Sequence, residues 1–177
     1  MIQLFILLST WLFTEKCYAE QNNQTDCSRL PKSIAPHICC RFPELFEGQI
    51  LDECHRLHNE FGQCFVECLF GRADICRHGK CSYQRANKYL DNKFVLQQTI
   101  FKDIYKSAFK KCIEKGNGLL TPLVERFRRN GCHPVPELIR FCVRNEMFIS
   151  CPNEYWNEKL MRCTKKQQFI RHCTKEN

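Results

Sequence analysis

The stretch Cys64-Phe65-Val66-Glu67-Cys68 restricts this chain more than any other feature. On a helix, side chains at i and i+4 leave one face nearly parallel, so each cysteine is better placed to bond a different neighbour than its twin. Such a helix is clamped to two others. A second stretch, CVRNEMFISCP from Cys142 to Pro152, places two cysteines around an amphipathic run. If the run is helical, a rise of ~1.5 Å per residue holds them roughly 13 Å apart, so each must also bond elsewhere.

The 15 cysteines therefore set the framework, and their compartment matters. The apolar run MIQLFILLSTWLF, then Glu15, Lys16 and the step Cys17-Tyr18-Ala19, reads as a secretory signal peptide, residues 1–19, cut after Ala19. No later segment is long and apolar enough for the ~20-residue span a bilayer requires, so no membrane insertion is expected. Residues 20–177 keep every cysteine but Cys17. In a secreted chain this predicts up to seven bridges rather than thiol chemistry.

The formal charge of +8 comes from scattered basic residues. Lys102, Lys106, Lys110 and Lys111 fall on the outward side of a helix, without the stacking aromatics of a nucleic-acid site, so no nucleic-acid partner is expected. Residues 20–38 form a polar, proline-punctuated tail, tied down by Cys27 and carrying the glycosylation sequon Asn23-Gln24-Thr25. From Pro43, PELFEGQILDECHRL suggests one helix. Leu57, Phe61, Cys64, Phe65, Cys68 and Leu69 form the stripe of a second, ended by Gly71. Cys76 and Cys81 flank a turn and suit a local pair.

The strongest periodicity predicts a helix over 93–115, capped by Asn92 and stopped by Gly116-Asn117-Gly118. Its apolar face holds Ile100, Phe101, Ile104, Tyr105, Ala108 and Phe109. Thr121-Pro122 opens a short helix to Arg129, and Pro136 another through Phe148. Residues 152–177 read as a C-terminal wrap held by Cys163 and Cys173. With no β-alternation of useful length, the fold class is all-α: a single domain over 20–177, a compact bundle of six to eight helices stapled by up to seven disulfides.

The order Cys64-x3-Cys68, Cys112, Cys132, Cys142-x8-Cys151 with Pro152, Cys163 and Cys173, preceded by Cys39-Cys40-Arg41-Phe42-Pro43, resembles the insect odorant-binding proteins, and specifically their Plus-C class. The resemblance spans residues 39–173. It implies that Cys142 bonds Cys64, that Cys151 bonds Cys112, and that Cys68 bonds Cys39 or Cys40. Cys76 and Cys81 are additional to the pattern, and the basic balance is unusual beside the family's many acidic members. The resemblance also implies that the bundle encloses an apolar cavity, and that the protein is a secreted carrier of odorants or other semiochemicals in extracellular lymph, monomeric or homodimeric, with a membrane odorant receptor as a further partner.

Other classes fit less well. Cys39-Cys40 resembles the paired cysteines of phospholipases A2, but Pro43 follows where a catalytic histidine would stand, and there is no glycine-rich calcium loop. No Ser-His-Asp or paired-carboxylate signature appears, so no catalytic residue, cofactor or enzyme activity is expected. Histidines beside cysteines, as in Cys54-His55 and Cys132-His133, suggest no metal site, because oxidised cysteines are not thiolate ligands. A basic, disulfide-stapled interaction protein of venom or host-defence type, with no internal ligand, is the alternative. The discriminating feature is the interior. Aromatic residues make up 12% of the chain, enough to line a cavity as well as a core. The helix faces nominate Phe61, Phe65, Leu69, Phe101, Ile104, Tyr105, Phe109, Leu138, Phe141 and Phe148 as residues that enclose a small hydrophobic molecule.

Overall fold

A computed structural model describes residue 27 and residues 36–58, 62–94, 99–118 and 126–173. Among these there are seven α-helices: α1 (Pro36–Cys39), α2 (Gln49–Leu57), α3 (Gln63–Arg72), α4 (Tyr83–Lys93), α5 (Thr99–Gly118), α6 (Pro134–Ile149) and α7 (Met161–Cys173). A two-stranded ribbon, β1 (Cys76–Arg77) with β2 (Lys80–Cys81), and a 3-10 turn at Asn153–Tyr155 complete them. The fold is the all-α, disulfide-stapled bundle that the periodicities predict. No described helix is long and apolar enough to cross a membrane. The signal segment and Asn23 lie outside the described residues.

The chain divides into two compact units, Ile34–Thr164 and a smaller one formed by Met1–Ser33 with Lys165–Asn177. In the smaller unit the described residues are Cys27 and the 165–173 part of α7, and the bridge Cys27–Cys173 joins them, tying the tail as the sequence suggests. The larger unit holds the bundle. Its centre is the packing of α5 on α6, and a missing side chain makes that approach possible. A Cβ at Gly116 would sit 2.6 Å from Ile139 Cγ1, closer than real contacts allow. Gly116 is therefore a packing residue inside α5, which runs on to Gly118, and not the stop the sequence suggests.

Six bridges staple the larger unit. Cys64 and Cys68 do bond different neighbours, but not those the resemblance implies. Cys68 bonds Cys54 on α2, Cys64 bonds Cys132 in the turn before α6, and Cys112 on α5 bonds Cys142 on α6. Cys151 is taken by Cys40, and Cys39 by Cys163. The expected Cys64–Cys142, Cys112–Cys151 and Cys68–Cys39 or Cys68–Cys40 bridges are therefore absent. The physical reason is the run of α6. It holds the Cys142 Cα 5.7 Å from that of Cys112, while the start of α3 meets the turn at Cys132 with Cα atoms 5.1 Å apart. Gln63 seals that junction, donating to the Phe127 carbonyl at 3.0 Å and accepting from the Arg129 N–H at 2.7 Å.

Cys76–Cys81 is the local pair the sequence suggests, closing the β1–β2 ribbon. Its turn needs glycine at 79: φ is +74°, and a Cβ there would lie 2.3 Å from the His133 ring. Arg85 clamps the ribbon by donating to the carbonyls of Asp74, Ile75 and Lys80.

Other boundaries move. Helix α4, capped by the Ser82 hydroxyl, was not anticipated, because its buried side is only Ala86 and Leu90. Helix α5 begins at Thr99 rather than 93, and Asn92 lies within the last turn of α4. Residues 43–47 are not helical; α2 starts after Gly48, whose φ is +59°. Leu57 ends α2 and is 60% exposed, so it belongs to neither the stripe nor the helix proposed for it. Residues 126–130 form turns rather than the end of a helix from Thr121. The wrap carries α7, which includes Cys163 and Cys173.

A non-reducing peptide map should recover Cys54–Cys68, Cys64–Cys132 and Cys112–Cys142; Cys64 linked to Cys142 would reject this arrangement. One substitution at two glycines should act with opposite signs. Gly116→Ala overpacks the α5–α6 contact and should cost ~1–3 kcal/mol in urea unfolding. Gly71→Ala, with open space around its Cβ position, should stabilise α3 by up to ~1 kcal/mol.

Candidate binding cavity

The cavity of the larger unit is built where five helices and one irregular segment meet. Helix α3 supplies Phe65 and Leu69, one turn apart on the face beside Cys68. Helix α6 supplies Val143 and Met147, again one turn apart, with Arg140 and Arg144 in the adjoining rows. Leu51 comes from α2, Tyr105 from α5 and His37 from α1. The remaining wall is Phe42, Glu44, Leu45 and Phe46, from the segment between α1 and α2. The cavity is open on one side and its volume is about 250 Å³. At ~30 Å³ per water that is room for roughly eight water-sized groups.

The interior is apolar and its charged residues lie towards solvent. Phe46, Phe65, Leu69, Tyr105, Val143 and Met147 are buried, while His37, Glu44 and Arg144 are exposed and Arg140 is half-buried. Two phenols pin the irregular wall. The Tyr89 hydroxyl donates to the Leu45 carbonyl and the Tyr105 hydroxyl to the Pro43 carbonyl, each at 2.8 Å. Phe46 then packs on Phe70 and Tyr89, with ring centroids 5.4 and 5.8 Å away. The segment is thereby held without helical hydrogen bonds of its own.

Of the ten nominated residues, Phe65, Leu69 and Tyr105 meet in this cavity. Phe61 lies outside the described residues. Phe101, Phe109 and Phe148 are buried but spent on packing: Phe101 stands edge-on to Tyr155, Phe109 packs on Phe70, and Phe148 stands edge-on to Trp156. Ile104 is half-buried against the core and does not line the cavity. Leu138 and Phe141 are corrections: they are 44% and 60% exposed, on the outer side of α6. Ile100, placed on the inner face of the long helix, is 41% exposed. The Tyr105 hydroxyl is engaged by Pro43, so it is a wall fastener rather than a handle for ligand.

The residues that sequence reasoning missed are the apolar Phe42, Leu45, Phe46, Leu51, Val143 and Met147 and the polar edge of His37, Glu44, Arg140 and Arg144. Val143 and Met147 share the apolar stripe of α6 with Ile139, so periodicity could have found them. The wall from Phe42 to Phe46 had no such signal. Of the four lysines on the outward side of α5, Lys102 and Lys106 pair with Asp91 at 3.4 and 2.7 Å, and Lys111 with Glu146 at 2.5 Å.

No protein-family model matches the chain, and no curated protein matches it. The bridges nonetheless follow an order. Taken along the chain, Cys54, Cys64, Cys68, Cys112, Cys132 and Cys142 pair first with third, second with fifth and fourth with sixth. The resemblance implies that same interlacing for a frame beginning at Cys39 or Cys40 and ending at Cys151.

Burial raises the phenol of Tyr89 from its ordinary 10.0 to about 12, with the charge of Glu47 adding to the effect. Tyr105 is raised further, by burial first and then by Glu44 and Tyr89. A raised phenol favours the folded state fully below the unfolded value near 10 and loses that contribution as pH climbs through the folded value. The urea midpoint should therefore hold between pH 7 and 9 and fall from about pH 10 to 12 and beyond. In the Tyr89→Phe/Tyr105→Phe double variant the midpoint should be lower at neutral pH, by ~1 kcal/mol per lost hydrogen bond, and fall less steeply in alkali.

Proposed function

We propose that this protein is a secreted carrier, related to the Plus-C odorant-binding proteins, that takes up a small hydrophobic molecule and releases it unchanged. The observation that carries this reading is the apolar cavity of about 250 Å³, walled by Phe65, Leu69, Val143 and Met147 and closed by the pinned segment Phe42–Phe46. The interlaced order of three bridges supports the family reading, and seven bridges among the described residues suit an oxidising, extracellular setting. The cargo is an odorant or another semiochemical in lymph. A membrane odorant receptor is the partner that would receive it.

The mechanism is reversible desolvation. Burying an alkyl chain of seven or eight carbons yields ~0.8 kcal/mol per methylene, about 6 kcal/mol in all. That corresponds to affinities between micromolar and millimolar before polar contacts are added. No bond is made or broken in this scheme, and catalysis has no part in it.

Displacement of a fluorescent apolar probe tests the reading. Leu51→Trp should fill the cavity from its half-buried side and weaken probe binding at least tenfold, ~1.4 kcal/mol, with the helical circular dichroism retained. Phe141→Ala, on the exposed side of α6, should bind as the parent does. Failure of the parent protein to bind any apolar compound would transfer the assignment to the basic interaction-protein class.

A further inference from the structure

The cavity has two arginines at its edge, and what sets them apart is their place on its lining. Arg140 and Arg144 are four residues apart on α6, so their side chains are neighbours on one face. Neither forms a salt bridge or hydrogen bond with a described residue, whereas Lys102, Lys106 and Lys111 all do. The Arg140 Nε is buried and has no hydrogen-bond partner among the described residues. A buried N–H left so is costly, and two like charges one turn apart add repulsion. Burial, and then Arg144, lower the Arg140 pKa, with Glu137 opposing. Glu44, the one carboxylate lining the cavity, is exposed and pairs with neither arginine.

We propose that the cargo is a medium-chain amphiphile with an anionic head, its carboxylate held between Arg140 and Arg144 and its tail laid along Leu69, Val143 and Met147. This rests on the carrier reading and specifies its cargo. A planar guanidinium presents paired N–H donors that match the two oxygens of a carboxylate. One such head relieves both the unsatisfied donor and the repulsion between the arginines. A neutral alcohol of equal length gains the same apolar burial but answers neither need. The volume suits a chain of about eight carbons.

Binding of octanoate, 1-octanol and acetate at neutral pH, measured by calorimetry on the full mature protein, separates the possibilities. The expected result is octanoate at least tenfold tighter than 1-octanol, with acetate far weaker than either. In Arg140→Met the ratio of the two octyl affinities should fall towards one, and Arg144→Met should lower it in the same direction, which keeps the test available if one variant fails to fold. Equal affinities for octanoate and 1-octanol in the parent protein overturn the anionic head and leave the carrier standing. Acetate binding as tightly as octanoate overturns it too, because the tail would then contribute nothing. If neither octyl compound binds, the carrier reading falls and takes this inference with it.

Discussion

Everything in the larger unit depends on the two bridges that leave α3. Cys64 and Cys68 stand one turn apart, and through them one short helix is bonded to α2 on one side and to the turn before α6 on the other. Once α6 is anchored at Cys132, Cys142 meets Cys112 and α5 is locked against α6. The cavity is the space these constraints leave between α2, α3, α5 and α6. By the scale of ~24 cal/mol per Å³ for apolar voids, 250 Å³ would cost about 6 kcal/mol if fully closed, and less here because its charged edge faces water. Two bridges of ~3–5 kcal/mol each, in the chain-entropy model, offset that. A disulfide framework on a chain large enough to have a core is thus compatible with leaving part of that core unfilled.

The second constraint is the segment from Cys40 to Phe46, a wall that is not a helix. Cys40–Cys151 and the Arg41 N–H bond to the Tyr155 carbonyl hold its start. The phenols of Tyr89 and Tyr105 hold its middle, and Phe46 is inserted between Phe70 and Tyr89. A helical wall would satisfy its own backbone and present a side chain only every third or fourth position. An extended wall must borrow partners, but it places Phe42, Glu44, Leu45 and Phe46 along one cavity within five residues. Apolar depth and a charged rim are therefore set by the same short stretch.

How much of this was legible follows from what periodicity can report. Helices α5 and α6 stood out because long apolar stripes have few other solutions, and the Cys76–Cys81 pair stood out because a turn lay between its cysteines. Helix α4 did not, since a helix that buries only Ala86 and Leu90 carries no stripe. The pairing was misjudged because spacing constrains which cysteines cannot meet, not which of several accessible partners a cysteine takes. Cys54, on a helix adjacent to α3 in sequence and in space, was passed over for Cys39 and Cys40. The cavity was half legible. Phe65, Leu69 and Tyr105 sit on apolar helix faces, but so do Phe101, Phe109 and Phe148, and whether such a face meets a ring or a space depends on Tyr155, Phe70 and Trp156, which arrive from elsewhere in the chain.

The charge of this protein has a different meaning in different places. On the outer side of α5, Lys102 and Lys106 share Asp91, and Lys111 reaches Glu146 on α6, so those cations are internally answered. Arg140 and Arg144 are not, although Glu137 and Glu146 lie on their own helix. Apolar burial scales with area and is indifferent to which end of a ligand leads, so a cavity of leucines and phenylalanines cannot by itself orient a chain or reject one of similar length. Direction and selectivity come from the few polar groups at its edge. Were an apolar chain to enter a cavity whose interior is otherwise uniform, the two unanswered arginines on one turn of α6 are the groups that would decide which of its ends stays at the edge.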